Sequence, residues 1–241
     1  MIFERKKVLA GICAFNEGDK IRRVINKFSD YALYDVLIID DGSIDESLKG
    51  VDKNPSIVIL RNEKTMGAGY GTRQIIEYAR KFGYESIVFV SGNDKDFPED
   101  TKTLLKAIDE GYDFVQGSRY LKGGGYGRMP LYRKWATRYM HPWLFSLVTG
   151  MQITDSTNGF RAIKTSLTYD KRIDLDQAWL DKYELEPYLF YKAIQCGYKV
   201  TEVPVKKFYP PKQEGYTKMK PITGWWSILR PIIYLALRIK K

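Results

Sequence analysis

Cysteine is nearly absent: Cys13 and Cys196 are the two in 241 residues. One lies in an apolar, strand-like run and the other in a helical segment. That usage excludes a disulfide framework and fits reduced thiols in a cytosolic setting. Long apolar runs are missing too. The opening Met-Ile-Phe-Glu-Arg-Lys-Lys lacks the apolar core of a signal peptide. No internal repeat or low-complexity linker is present, and no zinc-ligand spacing or groove-reading motif supports nucleic acid as a partner. Acid is absent from Gln116 to Thr154, which carries six Lys/Arg, and scarce from Lys199 to Lys241, with ten Lys/Arg against two Glu. The whole chain is +10, so what remains is net acidic. A basic later half suits phosphate or an anionic surface.

With 44% hydrophobic residues, a chain of this length buries one large core, or one domain with a small appendage. Apolar, unalternating strands are expected over 8–15, 36–39, 56–60, 86–90 and 113–116. Helical spacing covers 17–28 and 68–82, where Ile75, Ile76, Ala79 and Phe82 share a face. This alternation predicts an α/β fold with a mostly parallel sheet and helices on both faces. After about residue 120 the rhythm breaks into a glycine-rich loop, a helix near 131–148 and a second α/β portion ending at Val205.

In open α/β sheets, ligands bind beyond the carboxyl ends of the strands. Val36-Leu37-Ile38-Ile39 runs straight into Asp40-Asp41-Gly42-Ser43. Acids at such an edge need donors such as ribose hydroxyls, base N–H groups or a metal. Alternatively they shape a turn, with Asp45 near the start of a following helix. The first strand ends in Cys13-Ala14-Phe15-Asn16-Glu17, an aromatic and a carboxylate suited to a nucleobase and ribose. Asn16 also reads as a helix N-cap, with Glu17 favoured by the helix dipole. Gly67-Ala68-Gly69-Tyr70-Gly71 lacks dinucleotide-binding spacing and reads as close packing near a ligand. Asp94 and Asp96, two residues apart on the loop after the fourth strand, suit Mg²⁺ or Mn²⁺. The alternative is a capped turn with Pro98 beginning the next helix.

These strand ends, read in order, resemble the family 2 glycosyltransferases with a GT-A-type fold. More closely, they resemble the polyprenyl-phosphate sugar synthases typified by dolichol-phosphate mannose synthase. The matching pieces are Phe15-Asn16-Glu17, Asp40 to Ser43, Gly117-Ser118-Arg119-Tyr120, Asp155 with Asn158 to Arg161, Tyr183 to Glu186, and Gly197 to Pro204. The resemblance implies an inverting transferase that moves a sugar from a nucleoside diphosphate (GDP-mannose or a UDP-hexose) to a polyprenyl phosphate. It implies Ala14, Phe15, Glu17, Asp40 and Asp41 around the donor nucleotide. Arg119, Arg133 and Thr137 would receive the acceptor phosphate, and guanidinium forks match a phosphate well. Asp94, Arg119 and Asp155 are the candidate catalytic residues, with Asp155 the base if the acceptor is instead a hydroxyl. Asp155 also reads as a structural acid paired with Arg161 or capping the Gly159 turn.

Two departures stand out. The family usually has Asp-x-Asp where this chain has Gly92-Asn93-Asp94, and often Gln where Asp96 stands, which leaves Asp94 and Asp96 as the metal pair. An expected arginine near Pro210-Pro211-Lys212 is absent, leaving Lys212 or Lys218 for the donor phosphates. The missing acid at Gly92 also admits a non-catalytic binding module for nucleotide sugar or anionic lipid.

A transferase domain is expected over 1–220 and an amphipathic helix over 221–241. In that helix Ser227, Arg230, Tyr234, Arg238 and Lys241 fall on one stripe. About 17 residues with an internal Arg-Pro is short for a span. Tryptophans at one end and a cationic stripe fit a helix in the membrane interface, making the protein peripheral on the cytoplasmic face. The alternative is a helix docked on the sheet or on a second subunit.

Overall fold

A computed structural model describes residues 8–29, 34–51, 56–209 and 221–240. Seven strands form the main sheet: β1 (Val8–Ala14), β2 (Asp35–Asp40), β3 (Ile57–Arg61), β4 (Ser86–Ser91), β5 (Phe114–Ser118), β7 (Arg161–Lys164) and β8 (Val200–Pro204). Their order is β3-β2-β1-β4-β7-β5-β8. Every neighbouring pair is parallel except those made by β7, which lies antiparallel between β4 and β5. A second sheet pairs β6 (Gly125–Gly127) with β9 (Lys206–Phe208) in parallel.

The sheet is covered on both faces, as its unalternating strands require. Leu9, Leu37, Ile39, Ile87 and Phe89 join one core cluster, with Ile75 and Ile76 of α2 (Ala68–Lys81). Their neighbours Ala10, Ile12, Ile38, Val88 and Val90 join the other, with Ile21, Val24 and Ile25 of α1 (Asp19–Ser29) and Leu104 of α3 (Thr101–Asp109). Successive side chains on a strand point to opposite faces, so both must be apolar here.

The helix expected near 131–148 is three pieces in succession. They are α4 (Leu131–Trp135), a π-helical stretch (Ala136–Met140) and α5 (His141–Thr149). Gly150 ends it in the left-handed region, at φ 74°. Beyond it come α6 (Leu185–Gln195) and the C-terminal α7 (Pro221–Ala236).

The C-terminal α7 is held by apolar packing and by two polar contacts. It docks on α5 and α6, with Ile232 and Leu235 buried in the first core cluster. The polar stripe turns inward at two places. Ser227 Oγ donates to Glu184 Oε1 at 2.7 Å, and Arg230 Nη2 lies 2.5 Å from the same oxygen. Glu184 is fully buried, and a buried carboxylate needs such partners. Among the described residues, no helix is long and apolar enough to cross a membrane.

Candidate active site

A cleft of about 510 Å³ opens at the carboxyl ends of β1 and β4. Ala14, Phe15, Glu17, Asp41, Arg119, Arg133 and Thr137 all border it. Positions more than a hundred residues apart thus meet where an α/β sheet binds its ligand. Asp40, Asp94, Asp96 and Asp155 are not among its lining residues. Lys212 and Lys218 lie outside the described residues.

On the β2 side, Asp41 borders the cleft while its carboxylate fastens the loop before α2. Oδ1 accepts from Met66 N at 2.8 Å and Asn62 Nδ2 at 3.0 Å, and Oδ2 from Gly67 N at 2.9 Å. Asp40 is turned away. It accepts from Ser43 N at 2.9 Å and lies 3.4 Å from Arg61 Nε, so it shapes the turn and pairs with β3. Asn16 caps the neighbouring loop in place of its own helix, its Oδ1 accepting from Ile44 N and Asp45 N. Residues 45–50 form bends and turns, and the Asp45 carboxylate holds one of them through Ser47 and receives Gly18 N. The glycines after β3 are packing devices: a Cβ on Gly69 would lie 1.9 Å from Leu180 O, and one on Gly71 2.9 Å from Cys13 Sγ.

On the opposite side, Arg119 and Asp155 form an enclosed two-point ion pair. Nε lies 2.6 Å from Oδ2, and Nη2 lies 2.7 Å from Oδ1. Arg119 N also donates to Oδ2, and the N–H and hydroxyl of Thr157 donate to Oδ1. Burial alone would weaken the guanidinium charge, but Asp155 more than offsets it and raises the Arg119 pKa. Arg119 Nη1 points to Tyr209 OH at 3.3 Å. Asp155 therefore pairs with Arg119 and not with Arg161, which bonds Asn158 O and Glu186. Glu202 of β8 holds the turn from below, accepting from Thr154 N and Asp155 N. Sequence reading lists Glu202 in a motif without this role, because its partners are 47 and 48 residues away.

The loop after β4 departs most from expectation. Ser91, Gly92, Asn93 and Lys95 face the cleft. Asp94 has φ 57° and swings out to α1, with Oδ2 2.6 Å from Arg23 Nε and Oδ1 2.8 Å from Lys27 Nζ. Asp96 is buried, accepts from Ser91 N at 2.9 Å, and pairs with Lys207 of β9. Burial opposes its charge, yet Lys207 and the Ser91 N–H hold the carboxyl below the usual range. Lys95 and Lys207 both line the cleft. Burial, with Lys207 and Arg133 nearby, pulls the Lys95 ammonium down to about 7. Lys95 and Arg133 lie over one Tyr209 ring, 5.2 and 5.4 Å from its centre. Sequence reading missed Lys95, Lys207 and Tyr209.

A divalent cation is what the resemblance implies at this loop. The donor set does not fit one. The two acids are each saturated by lysine or arginine, and the loop residues facing the cleft are neutral or cationic. Hard cations of this kind bind through carboxylates. No group of three or more His, Cys, Asp or Glu side chains converges among the described residues.

The third wall is the helix from 131 to 149. Thr137 is buried, its hydroxyl 2.6 Å from Tyr120 OH, and burial raises that phenol to about 12. On the outer face Leu131, Trp135, Tyr139, Trp143 and Leu147 recur every four residues, each more than half exposed.

The family model described as Glycosyl transferase family 2 matches residues 10–172. Polyprenol monophosphomannose synthase of Mycolicibacterium smegmatis is 27% identical over 222 residues, covering 89% of this chain and 81% of that protein. Dolichyl-phosphate hexose transferase of Haloferax volcanii is 28% identical over 200 residues, covering 82% and 79%. UDP-N-acetylglucosamine–dolichyl-phosphate N-acetylglucosaminyltransferase of Methanococcus voltae is 24% identical, covering 82% and 84%. Among solved structures, glucosyl-3-phosphoglycerate synthase of Mycobacterium tuberculosis, in complex with Mn²⁺, UDP and glucosyl-3-phosphoglycerate, has a TM-score of 0.68. That likeness, at 16% identity over 97% of this chain and 79% of the other, concerns the fold. With a mostly parallel, GT-A-type sheet and a family match across its first two thirds, this chain belongs to the family 2 glycosyltransferases.

Proposed function

We propose that the protein transfers a sugar, with inversion, from a nucleoside diphosphate to a polyprenyl phosphate. The observation that carries this reading is the Arg119–Asp155 pair. A hydroxyl acceptor needs a general base within reach of its proton. The best sequence candidate, Asp155, is enclosed and spends both oxygens on Arg119 and Thr157. A phosphate monoester has a second pKa near 6, so it is largely ionised at neutral pH and attacks unaided. Its oxygen bonds the anomeric carbon as the bond to the nucleoside diphosphate breaks, and the bonding pair leaves with the diphosphate. The protein then has to position two anions and exclude water. The names of the three relatives, each a polyprenyl- or dolichyl-phosphate enzyme, support the same acceptor class.

Phe15, Glu17 and Asp41 face the nucleoside, while Arg133, Thr137 and Arg119, which border the same cleft, face the acceptor phosphate. The helix from 131 to 149 carries the lipid side. Its inner face brings Arg133 and Thr137 to the cleft, and its outer stripe holds two Trp and a Tyr among flanking Arg128, Lys134 and Arg138. Such rings and cations suit the interface of an anionic membrane and support a peripheral position on a cytoplasmic face. This helix adds an interfacial surface to the one expected of 221–241.

The test is incubation with vesicles containing polyprenyl phosphate and labelled GDP-mannose, UDP-glucose or UDP-N-acetylglucosamine, followed by extraction of lipid-linked sugar. Product from one donor supports the reading. Nucleotide release only with a glycan or glycolipid hydroxyl points to the other acceptor class. Donor binding without turnover points to a non-catalytic module.

A further inference from the structure

We propose that this site grips the donor diphosphate through protein cations instead of a divalent ion, with Lys95 as the principal counter-charge. The inference deepens the donor-sugar reading above and rests on it. Three observations carry it. The residues that the β4 loop offers to the cleft are Ser91, Gly92, Asn93 and Lys95, none of them an acid. Its two carboxylates are committed elsewhere, Asp94 to Arg23 and Lys27, Asp96 to Lys207. An acid at position 92 has no room, because a Cβ there would start 2.9 Å from Cys13 O.

What replaces the metal is built around Tyr209. Lys95 and Arg133 lie over its ring, and Arg119 Nη1 reaches its hydroxyl. Lys207 completes the cluster from β9. Lys207 answers Asp96 and Arg119 answers Asp155, so Lys95 and Arg133 give this corner its positive balance, beside the cleft's acids Glu17, Asp41 and Glu186. That balance suits a ligand with at least two negative charges, which the diphosphate of a nucleotide sugar supplies. Lysine serves here as a compact point charge, as it does for phosphates elsewhere. Asn93 Oδ1 is buried without a hydrogen-bond partner and gives one neutral acceptor, suited to a sugar hydroxyl.

The experiment is calorimetric titration of the full chain with UDP and with GDP, in excess EDTA and again in excess Mn²⁺, alongside Lys95→Ala. The expected result is that at least one nucleotide binds in EDTA with an affinity comparable to that in Mn²⁺. Loss of one charged contact in Lys95→Ala then weakens binding roughly tenfold or more in both conditions. Thermal unfolding checks that the variant is folded; if it is not, Lys95→Gln keeps the stem and removes the charge. Binding that requires Mn²⁺ and is unchanged in the Lys95 variant overturns this inference and leaves the donor reading intact. Absence of binding by either nucleotide in both conditions overturns the two together.

Discussion

Arg119 and Asp155 face each other across two parallel hydrogen bonds of 2.6 and 2.7 Å, with side chains 2% and 0% exposed. The pair fixes one wall of the cleft and occupies both carboxylate oxygens of Asp155. Removing one partner of such a pair strands a buried charge, at about 3–5 kcal/mol. Asp155→Asn is therefore expected to lower unfolding stability by that order in a denaturant titration, and to weaken acceptor capture with it. A variant of unchanged stability and donor affinity that has lost only turnover would restore Asp155 as a base.

His141 links the helix from 131 to 149 with α7. Its Nδ1 lies 2.7 Å from Ser156 Oγ and its Nε2 3.4 Å from Ile228 O. Burial pulls its pKa from 6.5 to about 4. The unfolded chain thus binds a proton that the folded chain refuses between these values. The stability it contributes is complete above about pH 6.5 and is lost as pH falls toward about 4, roughly 3 kcal/mol in all. Unfolding measured from pH 7 to 4 should show this slope, and His141→Gln should flatten it.

Trp135 and Trp143 are 60% and 67% exposed, so replacing them disturbs little of the core. Burial of one large apolar side chain is worth about 1.5–3 kcal/mol. Trp135→Glu with Trp143→Glu should lower sedimentation with anionic vesicles by roughly a hundredfold or more while thermal unfolding stays near that of the parent. Equal vesicle binding by both proteins would move the lipid surface elsewhere, with α7 the next place to test.

Gly69 packs where no side chain fits, against the backbone of Leu180. Gly69→Ala is expected to cost about 1–3 kcal/mol through a forced backbone shift. Gly83→Ala, with open space around it but φ 68°, reports the conformational cost alone. Comparing the two melting temperatures separates crowding from backbone preference.

The sheet was legible because its strands need apolar residues on both faces, a pattern visible in Ile87 to Val90 as plainly as in Val36 to Ile39. Their order along the chain put Phe15, Glu17 and Asp41 at one edge, and motif resemblance brought Arg119, Arg133 and Thr137. What stayed hidden depends on direction. Asp94 leaves the cleft through a single positive φ, and Asp96 is claimed by Lys207 from 111 residues away. Neither event has a local signal. The same holds for α7, whose inward turn answers to Glu184, a buried acid on a distant segment. β7 escaped notice because a four-residue antiparallel strand inserted between parallel neighbours breaks the β-α-β rhythm used to find the others.

The central claim is that a lipid phosphate, not a hydroxyl, attacks the sugar. Mass spectrometry of the organic phase after reaction with polyprenyl phosphate and a nucleotide-sugar panel tests it most directly. The account predicts a polyprenyl monophosphate-linked sugar of inverted anomeric configuration, formed in the absence of any glycan acceptor. A sugar joined to a hydroxyl, with the lipid phosphate recovered unmodified, would contradict it.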